Sequence, residues 1–259
     1  MAFKRRRYNP KAIVSSYASI KMGRSVPTNS TIEHDLCPLM EYERWVKGYK
    51  SEPWTIRAPF RDGSTHEYTM DYWIETDGGF TIVECKPADR EDGDHARRQI
   101  AIGGAYAAEN GGGFLLVTER DLRAGPYLDN VKLLCRYGRQ DVPPALARRC
   151  LAHVAARPDG ARLWDVATDL AAGRHPSTHV GYIHSLLFWH SLHVDLHAGP
   201  LGWDSRVFVP EQRPAEAGAD LTARHFGGPL RIGRRASGDL AGGDSVGSET
   251  RGGEIYGAV

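Results

Sequence analysis

The stretch Tyr68–Lys86, YTMDYWIETDGGFTIVECK, constrains this chain more than any other. Two runs rich in aromatic and β-branched residues, Tyr68–Glu75 and Phe80–Lys86, flank Thr76-Asp77-Gly78-Gly79. Asp-Gly between such runs predicts a β-hairpin, because the tight turn needs positive φ at its centre. Centring the turn between Asp77 and Gly78 sets the register: Glu75 faces Phe80, Asp71 faces Glu84 and Thr69 faces Lys86.

The pairing of Asp71 with Glu84 is the informative one. Opposed carboxylates in a sheet repel, at a cost of a few tenths to about 1 kcal/mol. Strand alternation puts Lys86 on the face of Glu84. A hard divalent cation converts that repulsion into a binding site, since Mg²⁺ takes one or two carboxylates plus water and phosphate oxygens. A lysine alongside can orient or deprotonate a water, or offset charge on the phosphate; these are the parts of metal-assisted phosphodiester hydrolysis. Asp-x(n)-Glu-x-Lys alone is a weak pattern, and a solvated hairpin face carries the same letters. The surroundings favour the sharper reading. Thr81, Val83 and Cys85 fill the alternate positions and Ile82 shares the acidic face, as in a strand buried on both sides.

With 259 residues and a formal charge of +1, the chain has room for one or two domains and no overall field for nucleic acid. Positive charge is concentrated at the start, where Lys4, Arg5, Arg6, Arg7, Lys11, Lys21 and Arg24 precede the first acid, Glu33. Residues 1–28 read as a basic arm suited to phosphate contact or to solvation. It has no apolar core of a signal peptide, and no run approaches the ~20 apolar residues of a membrane span. Scattered Cys37, Cys85, Cys135 and Cys150 suggest reduced thiols and a cytoplasmic protein.

Along the chain, Ser30-Thr31-Ile32-Glu33 opens a helix with Ile32, Leu36, Leu39 and Met40 on one stripe. Ser30-x-x-Glu33 is also a capping box, so Glu33 has a structural role open to it beside metal or water binding. Pro38 predicts a kink or a late start. Trp54–Phe60 reads as a strand, the hairpin follows, then helix Asp94–Glu109, strand Phe114–Thr118 and helix Tyr127–Tyr137. Strand, helix, strand at this spacing is a right-handed βαβ unit with a parallel pair. The expected order is α-β-β-β-α-β.

That order, with Asp71 on the second strand and Glu84-Cys85-Lys86 on the third, resembles the restriction-endonuclease-like PD-(D/E)xK nuclease core. More specifically it is similar to TnsA, the endonuclease subunit of heteromeric transposases. The matching stretches, over about residues 28–140, begin with Ser30-x-x-Glu33, Val46…Pro53 and Tyr68-x-x-Asp71. They continue with Gly78…Val83-Glu84-Cys85-Lys86-Pro87, Leu116-Val117-Thr118-Glu119 and Asn130…Leu134-x-x-Tyr137. The resemblance implies an active site of Glu33, Asp71, Glu84 and Lys86, with the three acids as metal ligands or water-orienting groups and Lys86 as the catalytic lysine. It implies Mg²⁺, with Mn²⁺ able to substitute, and double-stranded transposon-end DNA as substrate. It implies a TnsB-like DDE transposase and a TnsC-like AAA+ ATPase as partners. Met70 stands where that family often has proline, and Glu52-Pro53 replaces the usual Gln-Pro. Gln99 could orient a carboxylate or phosphate, or be a plain helix residue.

Val142-Pro143-Pro144 breaks the chain. Helices at Ala145–Ala156, Leu163–Leu170 and Thr178–Leu192, the last capped by Ser177, precede a wing of His193–Leu196 and Ser205–Pro210. Three helices and a hairpin over residues 145–210 resemble a winged helix-turn-helix, with Ser177, Thr178, His179 and Tyr182 facing DNA. Few Lys or Arg lie on the third helix, so a protein-docking module fits equally. His190, His193 and His197 read as satisfied polar groups, since they have no cysteine partners. Residues 211–259 have the composition of a disordered tail. The whole is then an α/β nuclease domain at 29–141 with a winged-helix-like appendage. A stand-alone restriction or repair nuclease, and a non-catalytic scaffold on the same fold, are the alternatives.

Overall fold

The computed structural model describes residues 15–60 and 62–212, and the backbone of Ser248–Glu249. The chain is mixed α/β. In order, β1 (Ser15–Ala18) and β2 (Ser25–Thr28) form a hairpin, followed by α1 (Thr31–Tyr42) and β3 (Val46–Ser51). Then come β4 (Thr55–Pro59), β5 (Thr65–Thr69), β6 (Tyr72–Thr76), β7 (Gly79–Cys85), α2 (Asp94–Glu109) and β8 (Gly113–Val117). The helices α3 (Glu119–Leu122), α4 (Tyr127–Cys135) and α5 (Pro144–Ala155) lead to β9 (Ala161–Arg162) and α6 (Leu163–Ala171). A 3₁₀ turn at Pro176–Thr178, α7 (Val180–Phe188), β10 (His193–Val194), β11 (Arg206–Phe208) and β12 (Ser248–Glu249) complete the described elements. No helix among the described residues is long and apolar enough to cross a membrane.

The main sheet has four strands in the order β3-β6-β7-β8, antiparallel except for the parallel β7–β8 pair. The expected hairpin turn and βαβ unit are both present, with Glu75 opposite Phe80 and Val83 opposite Leu115. One layer of core, from α1, α4 and the C-terminal helices, covers the face of Tyr72, Ile74, Val83 and Cys85. The other face, with Ile82 and Phe114, is covered by α2 and by the β4–β5 hairpin. Burial on both faces explains why β7 is almost continuously apolar.

Two strand expectations need correction. Tyr68–Glu75 is not one strand: Tyr68 and Thr69 end β5, Met70 and Asp71 form a bend, and β6 begins at Tyr72. Thr69 accordingly faces Thr55, not Lys86. The first strand of the main sheet is β3, while Trp54–Phe60 lies in a hairpin inserted between β3 and β6. The two are one ribbon: β3 pairs with β6, then both strands bend, and β4 pairs with β5 beyond the bend. Glu52 turns the corner on one strand with φ +44°, an uncommon value for a residue with a side chain, and Asp71 turns it on the other. Glu52 N–H donates to Asp71 C=O at 2.9 Å across the corner.

Other expectations also change. Residues 15–28, read as part of an extended arm, form the β1–β2 hairpin, with Val26 in the core. Lys21 is no phosphate contact, because its ammonium donates to the carbonyls of Met40, Glu43 and Val46 at 2.6–2.8 Å. The carboxylate of buried Glu41 holds the same hairpin through Ser19 Oγ and the N–H groups of Ile20 and Lys21. Helix α1 starts on time, capped by Ser30, and runs through Pro38. Helix α7 is shorter than Thr178–Leu192, and Ser177 sits in the 3₁₀ turn, where its N–H donates to His175 Nδ1. The three C-terminal helices accompany a three-stranded sheet, β10-β11-β9, that includes the expected wing. The buried cluster on the α1 face is continuous from Val26 to Val209, so those helices share it. Residues 1–14 and 213–247, and with them Arg5, Arg6, Arg7 and most of the expected disordered tail, lie outside the described residues.

Candidate active site

Asp71 and Glu84 share the α2 face of the sheet. The β6–β7 ladder runs from Thr76–Gly79 to Tyr72–Val83, and Asp71 and Glu84 are the next positions along it. Because β6 bends away there, the N–H of Cys85 that points toward β6 has no strand carbonyl to meet. Asp71 Oδ2 accepts it instead, at 2.7 Å. On the other side of β7, Lys86 N–H donates to Val117 C=O at 2.9 Å, which extends the parallel ladder one residue past the strand. Both carboxylates are thereby held on backbone fixed from two directions.

Glu84 is fully buried. Lys86, whose side chain is 18% exposed, forms an ion pair with its Oε1. Neither Glu84 oxygen is in a hydrogen bond of ordinary geometry with a described residue. Burial of this kind disfavours the charged form. Asp71 is held well above the usual carboxylate range by burial first, then by the charges of Glu84 and Glu33, against the bond from Cys85 N–H and the charge of Lys86. Glu84 is raised by burial, with Lys86 and the Tyr68 hydroxyl opposing and Glu33 adding to the rise. A pair of carboxylates held above their ordinary range in one place, with one cation, is a typical functional-site arrangement.

Glu33 is buried at the start of α1, on the other face of the sheet. It does what the capping box predicts and more. Its oxygens accept from Asn29 N–H at 2.8 Å and Ser30 Oγ at 3.0 Å, while Ser30 Oγ accepts from Glu33 N–H at 3.1 Å. Its charge is felt at Asp71, Glu84 and the buried Cys85 thiol. Asn29 Nδ2 also donates to Glu52 Oε1 at 3.2 Å, so the cap is linked to the ribbon corner beside Asp71.

Tyr68 enters the sequence reading only as a strand residue and a matching letter. The folded-back hairpin brings its hydroxyl, fully buried, against Glu84, and no other described residue partners that hydroxyl. A polar tip on an aromatic within an otherwise apolar strand was the available signal. Gln99 is not a plain exposed residue: it is half-buried, and its amide oxygen is shut off from solvent without a described partner.

The other candidates lie apart. Ser177 and Thr178 are exposed, His179 and Tyr182 are half-buried with rings 5.6 Å apart, and every residue of α7 is buried or half-buried. A Cβ at Gly181 would lie 2.5 Å from Gln140 Oε1 and 3.0 Å from the Tyr137 ring, so the first turn of α7 is packed on the segment after α4. His190 Nε2 bonds Tyr42 C=O at 2.8 Å, and the His197 ring stacks on Tyr127 at 4.3 Å. Among the described residues no group of three or more His, Cys, Asp or Glu side chains is placed to hold a metal. The acids of the site therefore offer a two-carboxylate donor set. Compared with protein-family models and with curated proteins, the chain matches none.

Proposed function

We propose that the chain is a divalent-metal-dependent DNA endonuclease of the PD-(D/E)xK kind, the nicking subunit of a heteromeric transposase. The single observation that carries the reading is that Asp71, tied to Cys85 N–H at the bend of the ribbon, lies within charge range of Glu84 and of the Lys86 ammonium paired with it. The order α1-β3-β6-β7-α2-β8, an α-β-β-β-α-β core around an inserted hairpin, supports it. A TnsB-like DDE transposase would join the strand that this subunit does not cut, and a TnsC-like AAA+ ATPase would regulate both.

The residues fit Mg²⁺ or Mn²⁺. All the donors are hard oxygens, two carboxylates suffice for an ion that keeps water and phosphate ligands, and Glu84 is fully buried with Lys86 on its Oε1, which leaves Oε2 to face an ion. Asp71 and Glu84 would hold the ion. When bound, it supplies Lewis-acid polarisation of the phosphate and acidifies a water. Lys86 orients that water or offsets charge on the phosphate oxygens, and its pairing with Glu84 keeps the ammonium in place. Glu33 shapes the site through its charge and by fixing the corner through Asn29. The C-terminal helices suit a protein partner better than a DNA groove, since α7 is covered while Trp164, Trp189 and Trp203 are 36%, 58% and 37% exposed.

The test is a strand-specific cleavage assay on element-end DNA, reconstituted with the neighbouring gene products. Asp71→Ala and Lys86→Ala should each abolish nicking in Mg²⁺. Cleavage at the wild-type rate by either variant, with its partners present, would show the assignment to be wrong.

A further inference from the structure

Tyr68 and Glu84 come from different sheets and meet only because the ribbon is folded back over β7. Tyr68 is fully buried on β5, Glu84 is fully buried on β7, and the phenol lies against the carboxylate. The hydroxyl and the carboxylate interact as donor and acceptor, and apart from that contact neither Tyr68 Oη nor Glu84 Oε2 has a hydrogen-bond partner among the described residues. A phenol carries one O–H to donate, and an ionised carboxylate only accepts. Two complementary groups, adjacent and shut off from water, satisfy each other.

The ring is held in place to do this. Gly103 of α2 leaves the space: a Cβ there would lie 2.8 Å from Tyr68 Cε1 and 2.4 Å from Phe114 Cε2. With Ile56, Met70, Ile82 and Ile102 completing the same cluster, the phenol has no room to swing out to solvent. Lys86 already occupies the Oε1 side of Glu84.

The geometry points to Tyr68 as a positioning residue, whose O–H donates to Glu84 and orients its carboxylate toward a bound divalent cation. This rests on the nuclease reading of the same site and deepens it. Residues that hydrogen-bond a ligating side chain typically contribute about 10–100-fold in metal affinity. The role is distinct from packing, which the ring of phenylalanine would supply equally.

The experiment is calorimetric titration of Mn²⁺ into the full chain, for wild type, Tyr68→Phe and Glu84→Ala, with thermal melts in parallel. Wild type should bind with an affinity that Glu84→Ala abolishes, and Tyr68→Phe should bind about tenfold more weakly while melting at the wild-type temperature. A second measurement needs no Tyr68→Phe protein: 3-fluorotyrosine at position 68 should give a ¹⁹F resonance that moves on adding Mg²⁺, and does not move in the Glu84→Ala background. If wild type fails to bind, or Glu84→Ala binds equally well, the nuclease reading itself falls. If binding depends on Glu84 but Tyr68→Phe binds like wild type, or the ¹⁹F resonance stays still, the nuclease reading survives and the Tyr68 role is overturned.

Discussion

The Asp71 carboxylate takes the N–H of Cys85 at 2.7 Å, so the corner of one ribbon is tied to the strand that carries Glu84. Asparagine at position 71 can keep that bond through its amide oxygen while removing the charge. Asp71→Asn should therefore fold with a native melting profile and lose nicking by more than about a hundredfold, beyond the usual effect of an outer hydrogen-bond partner. It should also be more stable than wild type at neutral pH, by about 1 kcal/mol, because neighbouring carboxylates repel. Chemical denaturation in the presence of a chelator measures this; a less stable Asp71→Asn would mean that the acids do not strain the fold.

The same repulsion has a pH signature. Asp71 and Glu84 are both held above the ordinary carboxylate range, by burial first. A carboxyl raised in the folded state binds its proton more tightly there than in the unfolded chain, so stability falls as pH rises. The favourable contribution is complete below the unfolded values, near about pH 4, and is lost as pH climbs through the folded ones. At Asp35 burial is outweighed by Lys132 and Arg123, the group is held low, and its contribution is lost as pH falls. A difference measurement separates the two. The melting temperature of Asp71→Asn/Glu84→Gln minus that of wild type should grow from near zero at about pH 4 toward neutral pH, and shrink on adding Mg²⁺ at neutral pH. A flat difference across that range would remove the repulsion from the account.

How far the site could be read from sequence depends on which interactions place each residue. Asp77-Gly78 and strand alternation are local, and they carry the ladder to Tyr72 opposite Val83, one position short of Asp71 and Glu84, with Lys86 paired to Glu84. Helix α2 and strand β8 were equally legible, because a long helix between two apolar runs leaves few alternatives. The bend was not. Tyr68, Thr69 and Met70 have strand composition on both sides of it, and the decision to switch sheets is made by Glu52 and by the core that receives Met70 and Ile56. Tyr68 against Glu84 is a consequence of that fold-back. For Glu33 the sequence allows two roles, and in the fold its carboxylate sits in the cap while its charge reaches the acids. The expected recognition helix had the right spacing, but only packing could show that α7 is covered on its first turn by Tyr137 and Gln140.

Lys86 is the one cation paired with Glu84 among the described ion pairs. Its removal leaves a fully buried carboxylate without compensation, which in a rigid interior costs several kcal/mol unless the group takes up a proton. Glu84 is already biased toward protonation by burial, so the expected cost is about 2 kcal/mol at pH 7. Lys86→Met should thus lose both nicking and stability, whereas Lys86→Met/Glu84→Gln should regain most of the stability and none of the activity. Denaturant unfolding of the two variants decides the point. If the double variant is no more stable than the single one, the ion pair is not what holds Glu84.

Ser30 and Glu33 separate the cap from the chemistry. Ser30 Oγ accepts from Glu33 N–H at 3.1 Å and donates to Glu33 Oε1 at 3.0 Å, so Ser30→Ala removes both halves of that contact. Losing such a cap costs about 1 kcal/mol. Nicking by Ser30→Ala should stay within about twofold of wild type, since a cap acts on the helix and not on the phosphate. Glu33→Gln is the converse, because the amide oxygen can still accept from Asn29 N–H or Ser30 Oγ while the charge that reaches Asp71 and Glu84 is gone. It should melt close to wild type and nick about tenfold more slowly, a size typical of groups that support a metal site from outside its ligands. Paired melting curves and single-turnover cleavage rates for the two variants make the comparison. Should Glu33→Gln nick at the wild-type rate, Glu33 is a helix cap and no more, and the proposed active site reduces to Asp71, Glu84 and Lys86.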